Sequence, residues 1–153
     1  MSKNIILIGA GGLGKEVFHW FNSDDKFKDN IKGFLDRSDP DFSKFKIKPK
    51  FFGNEDSYQF SDNDYVVITI ADIETRSKIY SKLKNKVQFT NLIHSRAIVS
   101  DNVEMGFGNI ISPNCILSNN VTIGNNNFMN INSSICHESI INNNIVLSPY
   151  SLI

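Results

Sequence analysis

An α/β unit followed by an all-β parallel β-helix is the fold class this sequence predicts. Three observations carry it: a buried-strand run closed by a glycine-rich turn, β-α-β spacing after that turn, and a period of six in the apolar residues from Val99 onward. The α/β unit is expected over residues 1–94, Rossmann-like in its order of strand, glycine turn and helix. The coils are expected over residues 95–153.

The run Asn4-Ile5-Ile6-Leu7-Ile8 is apolar, rich in β-branched residues and stopped by Gly9, which is the composition of a strand buried on both faces. Helical spacing takes over at once, with Val17, Trp20 and Phe21 recurring after Gly14. A second strand at 31–36 completes a β-α-β unit, whose crossover is right-handed by rule. From Arg37 to Asp64 the chain is polar, carries Pro40 and Pro49, and reads as irregular apart from a short strand at Phe51-Phe52. Tyr65 to Ile70 is again a buried strand. Ile79 and Leu83, four apart among charged residues between Ile73 and Asn85, predict a surface helix. One strand over Val87–Ile93 then closes a region of about four strands.

After Arg96 the pattern changes. Every sixth residue from Val99 is apolar: Val99, Met105, Ile111, Leu117, Ile123, Met129, Ile135, Ile141, Leu147 and Ile153. The next residue in each hexad, from Ser100 through Gly106, Ser112, Ser118, Gly124, Asn130, Cys136 and Asn142 to Ser148, is small or Asn. Six is neither the helical period of about 3.6 nor the strand period of 2, so the repeated unit is a short strand plus a turn. A left-handed parallel β-helix meets that demand, with three hexads per triangular coil, aliphatic side chains inside and small residues where the backbone crowds. The pairs Asn119-Asn120, Asn125-Asn126 and Asn143-Asn144 suit its turns, because Asn tolerates left-handed backbone geometry. The register is unbroken at Ile153, so the coil stack is expected to be incomplete there.

Composition narrows the function classes. Sixteen Lys plus Arg balance sixteen Asp plus Glu, which leaves no broad basic field for nucleic acid or anionic lipid. No stretch approaches the ~20 apolar residues of a membrane span, so a cytoplasmic protein is expected. Cys115 and Cys136 both fall in the repeat and read as reduced, small packed residues. No metal-ligand spacing is present.

Five stretches in this order, GAGGLGKEV, GFLDRSD, VVITIADIETR, NLIHSRAIVS and NINSSICHESIINNNIVLSP, resemble the left-handed β-helix (hexapeptide-repeat) sugar acetyltransferases. That family includes sialic-acid O-acetyltransferase-like proteins and the N-acetyltransferases of UDP-4-amino sugars. The resemblance implies acetyl transfer from acetyl-CoA to an amino group, or a hydroxyl, of a nucleotide-linked sugar bound by the N-terminal unit. It also implies a homotrimer with active sites between subunits and a place in surface glycan synthesis. Because family members continue for further coils, a nucleotide-sugar-binding module or a structural oligomer without catalysis is the alternative.

Gly9, Gly11 and Gly14 form G-x-G-x-x-G directly between a strand and a helix, where glycines let backbone amides approach a diphosphate at a helix N-terminus. Asp36, at the end of the next strand, is placed to accept from a ribose or a base. A nicotinamide dinucleotide is the rival ligand, but about four strands are few for its two binding halves; a tight turn without a ligand is the third reading. With the resemblance, the substrate set becomes Gly9, Gly11, Gly12, Leu13, Gly14, Asp36, Arg37, Ile70, Ala71, Asp72 and Arg76. Leu13 stands where the family usually has a histidine. Asn130 and Ser148 are implied as acetyl-CoA contacts.

Of three histidines, His19 reads as a helix-surface residue and His94 as a structural residue at a turn. His137 lies in the repeat two residues after inward Ile135, where the pattern asks for no histidine. The family resemblance makes it the general base, a task that suits an imidazole with an unperturbed pKa of about 6.5. Glu138 is its candidate orienter, provided a turn brings the two side chains together.

Overall fold

The computed structural model describes residues 3–153. Its first part runs β1 (Asn4–Ile8), α1 (Gly12–Asn22), β2 (Ile31–Leu35), β3 (Lys50–Phe51), β4 (Asp64–Ile68), α2 (Ile73–Leu83) and β5 (Gln88–Phe89). The strands form one parallel sheet in the order β3-β2-β1-β4-β5. Alternation along β1 divides the apolar load between its faces. Ile5 and Leu7 join Val17, Phe18, Phe21 and Phe34 on the α1 side. Ile6 and Ile8 join Leu35, Val66, Ile68, Ile79 and Leu83 on the α2 side.

The expected single strand over Val87–Ile93 is divided. Gln88-Phe89 pairs with β4, whereas β6 (Leu92–Ile93) already belongs to the coils and pairs with Ile110-Ile111. The coil strands continue as β7 (Ile98–Val99), β8 (Glu104–Met105), β9 (Ile110–Ile111), β10 (Ile116–Leu117), β11 (Thr122–Ile123), β12 (Phe128–Met129), β13 (Ser134–Ile135), β14 (Ile140–Ile141) and β15 (Val146–Leu147). They stack into three parallel sheets, β13-β10-β7, β14-β11-β8 and β15-β12-β9-β6. Partners such as Val99, Leu117 and Ile135 lie 18 positions apart, three hexads per coil.

The sixfold aliphatic series forms the interior. Ile111, Leu117, Ile123, Met129, Ile135, Ile141 and Leu147 make one buried cluster with Cys115 and Val121, and Val99 and Met105 pack against it. Left-handed backbone recurs every six residues, with positive φ at Gly108, Asn114, Asn120, Asn126, Asn132, Glu138, Asn144 and Tyr150. The small-residue register is crowded as expected: a Cβ at Gly106 would lie 2.5 Å from Asn125 Oδ1, and one at Gly124 would lie 2.6 Å from Asn143 Oδ1. Cys136 departs from expectation. It is exposed rather than packed, although Cys115 is buried.

One coil face is covered. Leu92, Ile110 and Phe128, the outward residues of β6, β9 and β12, share a core with α1 and β1. The α2 helix is not the simple surface element expected, because Arg76 on it is fully buried. Its Nε donates to the Asn126 carbonyl at 2.8 Å, and Nη1 donates to the carbonyls of Ile68 at 2.5 Å and Ile70 at 3.2 Å. Burial lowers this guanidinium from its ordinary value to about 9, which leaves it charged at neutral pH. No helix among the described residues is long and apolar enough to cross a membrane.

His94 closes the junction. It is buried, its Nδ1 accepts from Arg96 N at 3.1 Å, its Nε2 lies 3.7 Å from Asp24 Oδ2, and the Phe21 ring meets it edge-on. Burial is the largest influence on its pKa, which falls below the ordinary histidine value despite the Asp24 charge. The folded state thus favours the neutral ring. The associated stability is complete above the unfolded value of about 6.5 and is lost as pH falls through it toward the folded value.

Two outcomes are expected. Leu117→Ala, which empties the coil interior, lowers unfolding free energy by about 2–5 kcal/mol in urea titration. The thermal midpoint drops between pH 7 and pH 5, and His94→Gln flattens that slope; an unchanged slope would remove His94 as its source.

Candidate active site

The glycine turn sits at the C-terminal edge of the sheet, the edge where open α/β sheets bind ligands. Gly9 has φ of +106°, and a Cβ there would collide with the Ile70 side chain. Gly14 is buried in the first turn of α1, and a Cβ on it would overlap the Gly9 carbonyl, so it sets the helix-to-strand approach. Gly11 and Gly12 differ: a Cβ on either would meet no atom within 4 Å. Packing does not demand these two glycines, and the open space above them is where a ligand phosphate would approach the N-terminus of α1. Gly11 caps that helix with no side-chain bond, which leaves its first amides available.

Asp36 braces the turn from the side. Its Oδ2 accepts from Ala10 N at 2.7 Å and its Oδ1 from Ser38 N at 3.2 Å. Beside it lies a cavity of about 100 Å³ lined by residues that include Gly9, Asp36, Arg37, Glu55, Ile70 and Ile79. The structure thus brings Gly9, Asp36, Arg37 and Ile70 together, as the sequence suggested. Glu55 was missed, because nothing in the irregular 37–64 segment distinguishes it from other surface acids.

The remaining substrate candidates have other employments. Leu13 is half-buried and packs against the α1-side core. Asp72 caps α2, accepting from Thr75 N at 2.8 Å, and the Thr75 side chain together with that backbone amide holds its pKa below the ordinary aspartate value. Ala71 next to it is exposed. Arg76 is a correction to the sequence reading. Its guanidinium is withdrawn from solvent and committed to backbone carbonyls of β4 and the coil, which need a buried donor where strand pairing supplies none.

The second cluster lies on a coil corner. His137 occupies the turn after β13, and Glu138 takes the left-handed corner position with φ of 62° while its N–H donates to the Asn119 carbonyl at 3.0 Å. The turn brings the side chains to one side: His137 Nδ1 is 3.9 Å from Glu138 Oε2, ion-pair range but longer than a hydrogen bond, and both are about three-quarters exposed. Asn130 is half-buried, and its Oδ1 accepts from Ile131 N at 2.8 Å. Ser148 is exposed, and its carbonyl accepts from Ser151 N at 3.2 Å. His19 is exposed on α1. Among the described residues no group of three or more His, Cys, Asp or Glu is arranged to hold a metal ion.

Residues 4–83 match the family model described as the PglD N-terminal domain, which is more than half of the sequence. The chain belongs to the PglD N-terminal domain family. No curated protein matches it. Among solved structures it is similar to the acetyltransferase domain of PglB from Neisseria gonorrhoeae, with TM-score 0.81 at 16% identity over 97% of this chain and 72% of that one. WeeI from Acinetobacter baumannii gives TM-score 0.79 at 27% identity, covering 97% and 70%. PerB from Caulobacter crescentus, solved with CoA and GDP-perosamine, gives TM-score 0.77 at 18% identity, also covering 97% and 70%. The PglB domain has also been solved with acetyl coenzyme A.

Glu138→Asn tests the corner. Asn fills the equivalent place at five other corners, so the variant is expected to raise unfolding free energy by up to about 1 kcal/mol by relieving a left-handed non-Asn residue. A loss of stability in urea titration would contradict this. Gly14→Ala, by contrast, is expected to cost about 2 kcal/mol or more, since the Gly9 backbone must move.

Proposed function

We propose that this chain transfers an acetyl group from acetyl-CoA to the amino group of a nucleotide-linked sugar, an O-acetyl transfer being the lesser variant, in surface glycan synthesis. The reading rests on one observation above all: an exposed imidazole beside a carboxylate on the corner of a β-coil whose fold is that of solved sugar acetyltransferases. The PglB acetyltransferase domain and PerB, solved with CoA and GDP-perosamine, support the chemistry by likeness.

In this mechanism the glycine turn of a Rossmann-like N-terminal unit, residues 1–94, anchors the diphosphate, with Asp36 and Arg37 beside the nucleoside. The coils over 95–153, wound left-handed, present His137. Glu138 faces Nδ1, so Nε2 is the free base. The sugar amine attacks the thioester carbonyl, a C–N bond forms, and His137 Nε2 takes the proton as the tetrahedral oxyanion develops. The oxyanion collapses, the C–S bond breaks, and the proton returns to the CoA thiolate, giving the N-acetyl sugar and free CoA. Glu138 stabilises the transient imidazolium. Acetyl-CoA lies along the coils near Asn130 and Ser148. A cytoplasmic homotrimer completes the reading, with His137 at the seam between subunits.

Release of free thiol from acetyl-CoA in the presence of UDP- and GDP-linked amino sugars is the test. His137→Ala is expected to lower kcat by about 10²–10⁴-fold while KM for the sugar changes little. Glu138→Asn is expected to lower kcat less, without loss of folding. Full activity in His137→Ala would overturn the assignment.

A further inference from the structure

We infer that a basic ridge at the start of the α/β sheet docks this chain onto an anionic lipid surface, an interaction separate from the reaction proposed above. The whole chain carries no net charge, so no broad basic field exists, but the fold gathers a local one. Lys44, Lys46, Lys48 and Lys50 alternate along the segment that runs into β3, and all four are exposed. Among the described residues none of the four is ion-paired, whereas Lys28, Lys78 and Lys82 each have a carboxylate partner. Lys28 and Lys32 extend the ridge across two adjoining hollows of about 540 and 510 Å³, which share Phe18, Asn22 and Ile47. Six lysines against two acids, Asp29 and the buried Asp64, give this face a formal charge of +4.

The ridge has an apolar centre. Phe42 and Phe45 turn inward, where their rings meet Phe34 and Phe18 and pin the segment to the α1-side core. Ile47, two residues on, is 65% exposed between Lys46 and Lys48. An apolar side chain flanked by unpaired ammonium groups suits a bilayer surface: the lysines meet lipid phosphates and the isoleucine enters the acyl boundary. Strand protection explains less of the pattern. Lysine on an edge strand discourages pairing with another chain, yet only Lys50 lies in β3, and Lys44, Lys46 and Lys48 precede it. Nucleic acid fits less well, because the rings that would stack on bases are turned into the core and Ile47 offers nothing to a phosphodiester.

This face is also one the chain can cover without closing its glycine turn. Asn4, Ile31, Lys50 and Asp64, the first residues of β1, β2, β3 and β4, all line the first hollow, so the ridge marks the N-terminal edge of the parallel sheet. The glycine turn follows β1 at the opposite edge, and a chain lying on its lysines keeps that turn clear of the lipid.

Co-sedimentation of the full chain with vesicles is the test, comparing phosphatidylcholine alone with phosphatidylcholine and phosphatidylglycerol in equal parts. Binding to the anionic vesicles only is expected, and it is lost as salt shortens the screening length to about 3 Å at about 1 M. The chain with Lys44→Gln, Lys46→Gln, Lys48→Gln and Lys50→Gln, its folding checked by circular dichroism, is expected to partition at least ~100-fold more weakly, at roughly fivefold per lysine. Arginine at the same four positions is expected to retain binding, and Ile47→Ser to weaken it by about tenfold. No binding to anionic vesicles, equal binding to both kinds, or undiminished binding by the Gln variant would overturn the inference. So would tighter binding to a thymidine oligonucleotide that the Gln substitutions abolish, which would give the ridge to nucleic acid.

Discussion

Stacking at an interval of 18 residues is the constraint from which the second half of this molecule follows. Once residue i lies over residue i+18, an aliphatic at every sixth position fills the interior, and any change in hexad length would rotate the whole later ladder outward. The same interval governs the polar groups. Asn91, Asn109 and Asn127 bond in sequence up one edge, with side-chain oxygens accepting from Asn109 N, Asn127 N and Ile145 N at 2.7–2.9 Å. Such a ladder satisfies turn amides that no strand pairing reaches.

The corner that carries His137 is one of two where this economy is broken, Tyr150 holding the other. At Asn114, Asn120, Asn126, Asn132 and Asn144 the left-handed residue is the type that tolerates it, whereas Glu138 is not. A non-Asn, non-Gly residue held there costs of order 1 kcal/mol, and structures retain such residues where a side chain is needed for another purpose. The return is geometric. A strand would have sent adjacent side chains to opposite faces, but the turn sets the Glu138 carboxylate beside the imidazole.

What the sequence disclosed is what obeys a period. The sixfold register named the coil interior residue by residue, and the strand-glycine-helix order located the turn that Gly9 and Gly14 build. Aperiodic features escaped it. The coil begins at Leu92, before the composition changes, because that face is covered by α1 and its residues are as apolar as a buried strand. Arg76 looked like one more charge on an exposed helix, since nothing local announces that the carbonyls of Ile68 and Asn126 converge on it from 8 and 50 residues away. Glu55 was hidden for the same reason: its neighbours Arg37 and Lys82 are distant in sequence.

Arg76 also explains why sheet and coil hold a fixed relation. A continuous apolar core joins α1 to β6, β9 and β12, but an apolar contact alone is non-directional and permits sliding. The guanidinium adds direction, since its planar donors reach carbonyls of β4 and the coil at once, and a buried charge cannot leave those acceptors without losing its compensation. Lysine offers one compact charge and could not span both. Because Ile70 also lines the cavity beside Asp36, the guanidinium that orients the coil is bonded to a residue of the cavity wall. Site and scaffold are therefore positioned by the same side chain, and displacing it would move the cavity relative to the corner that bears His137.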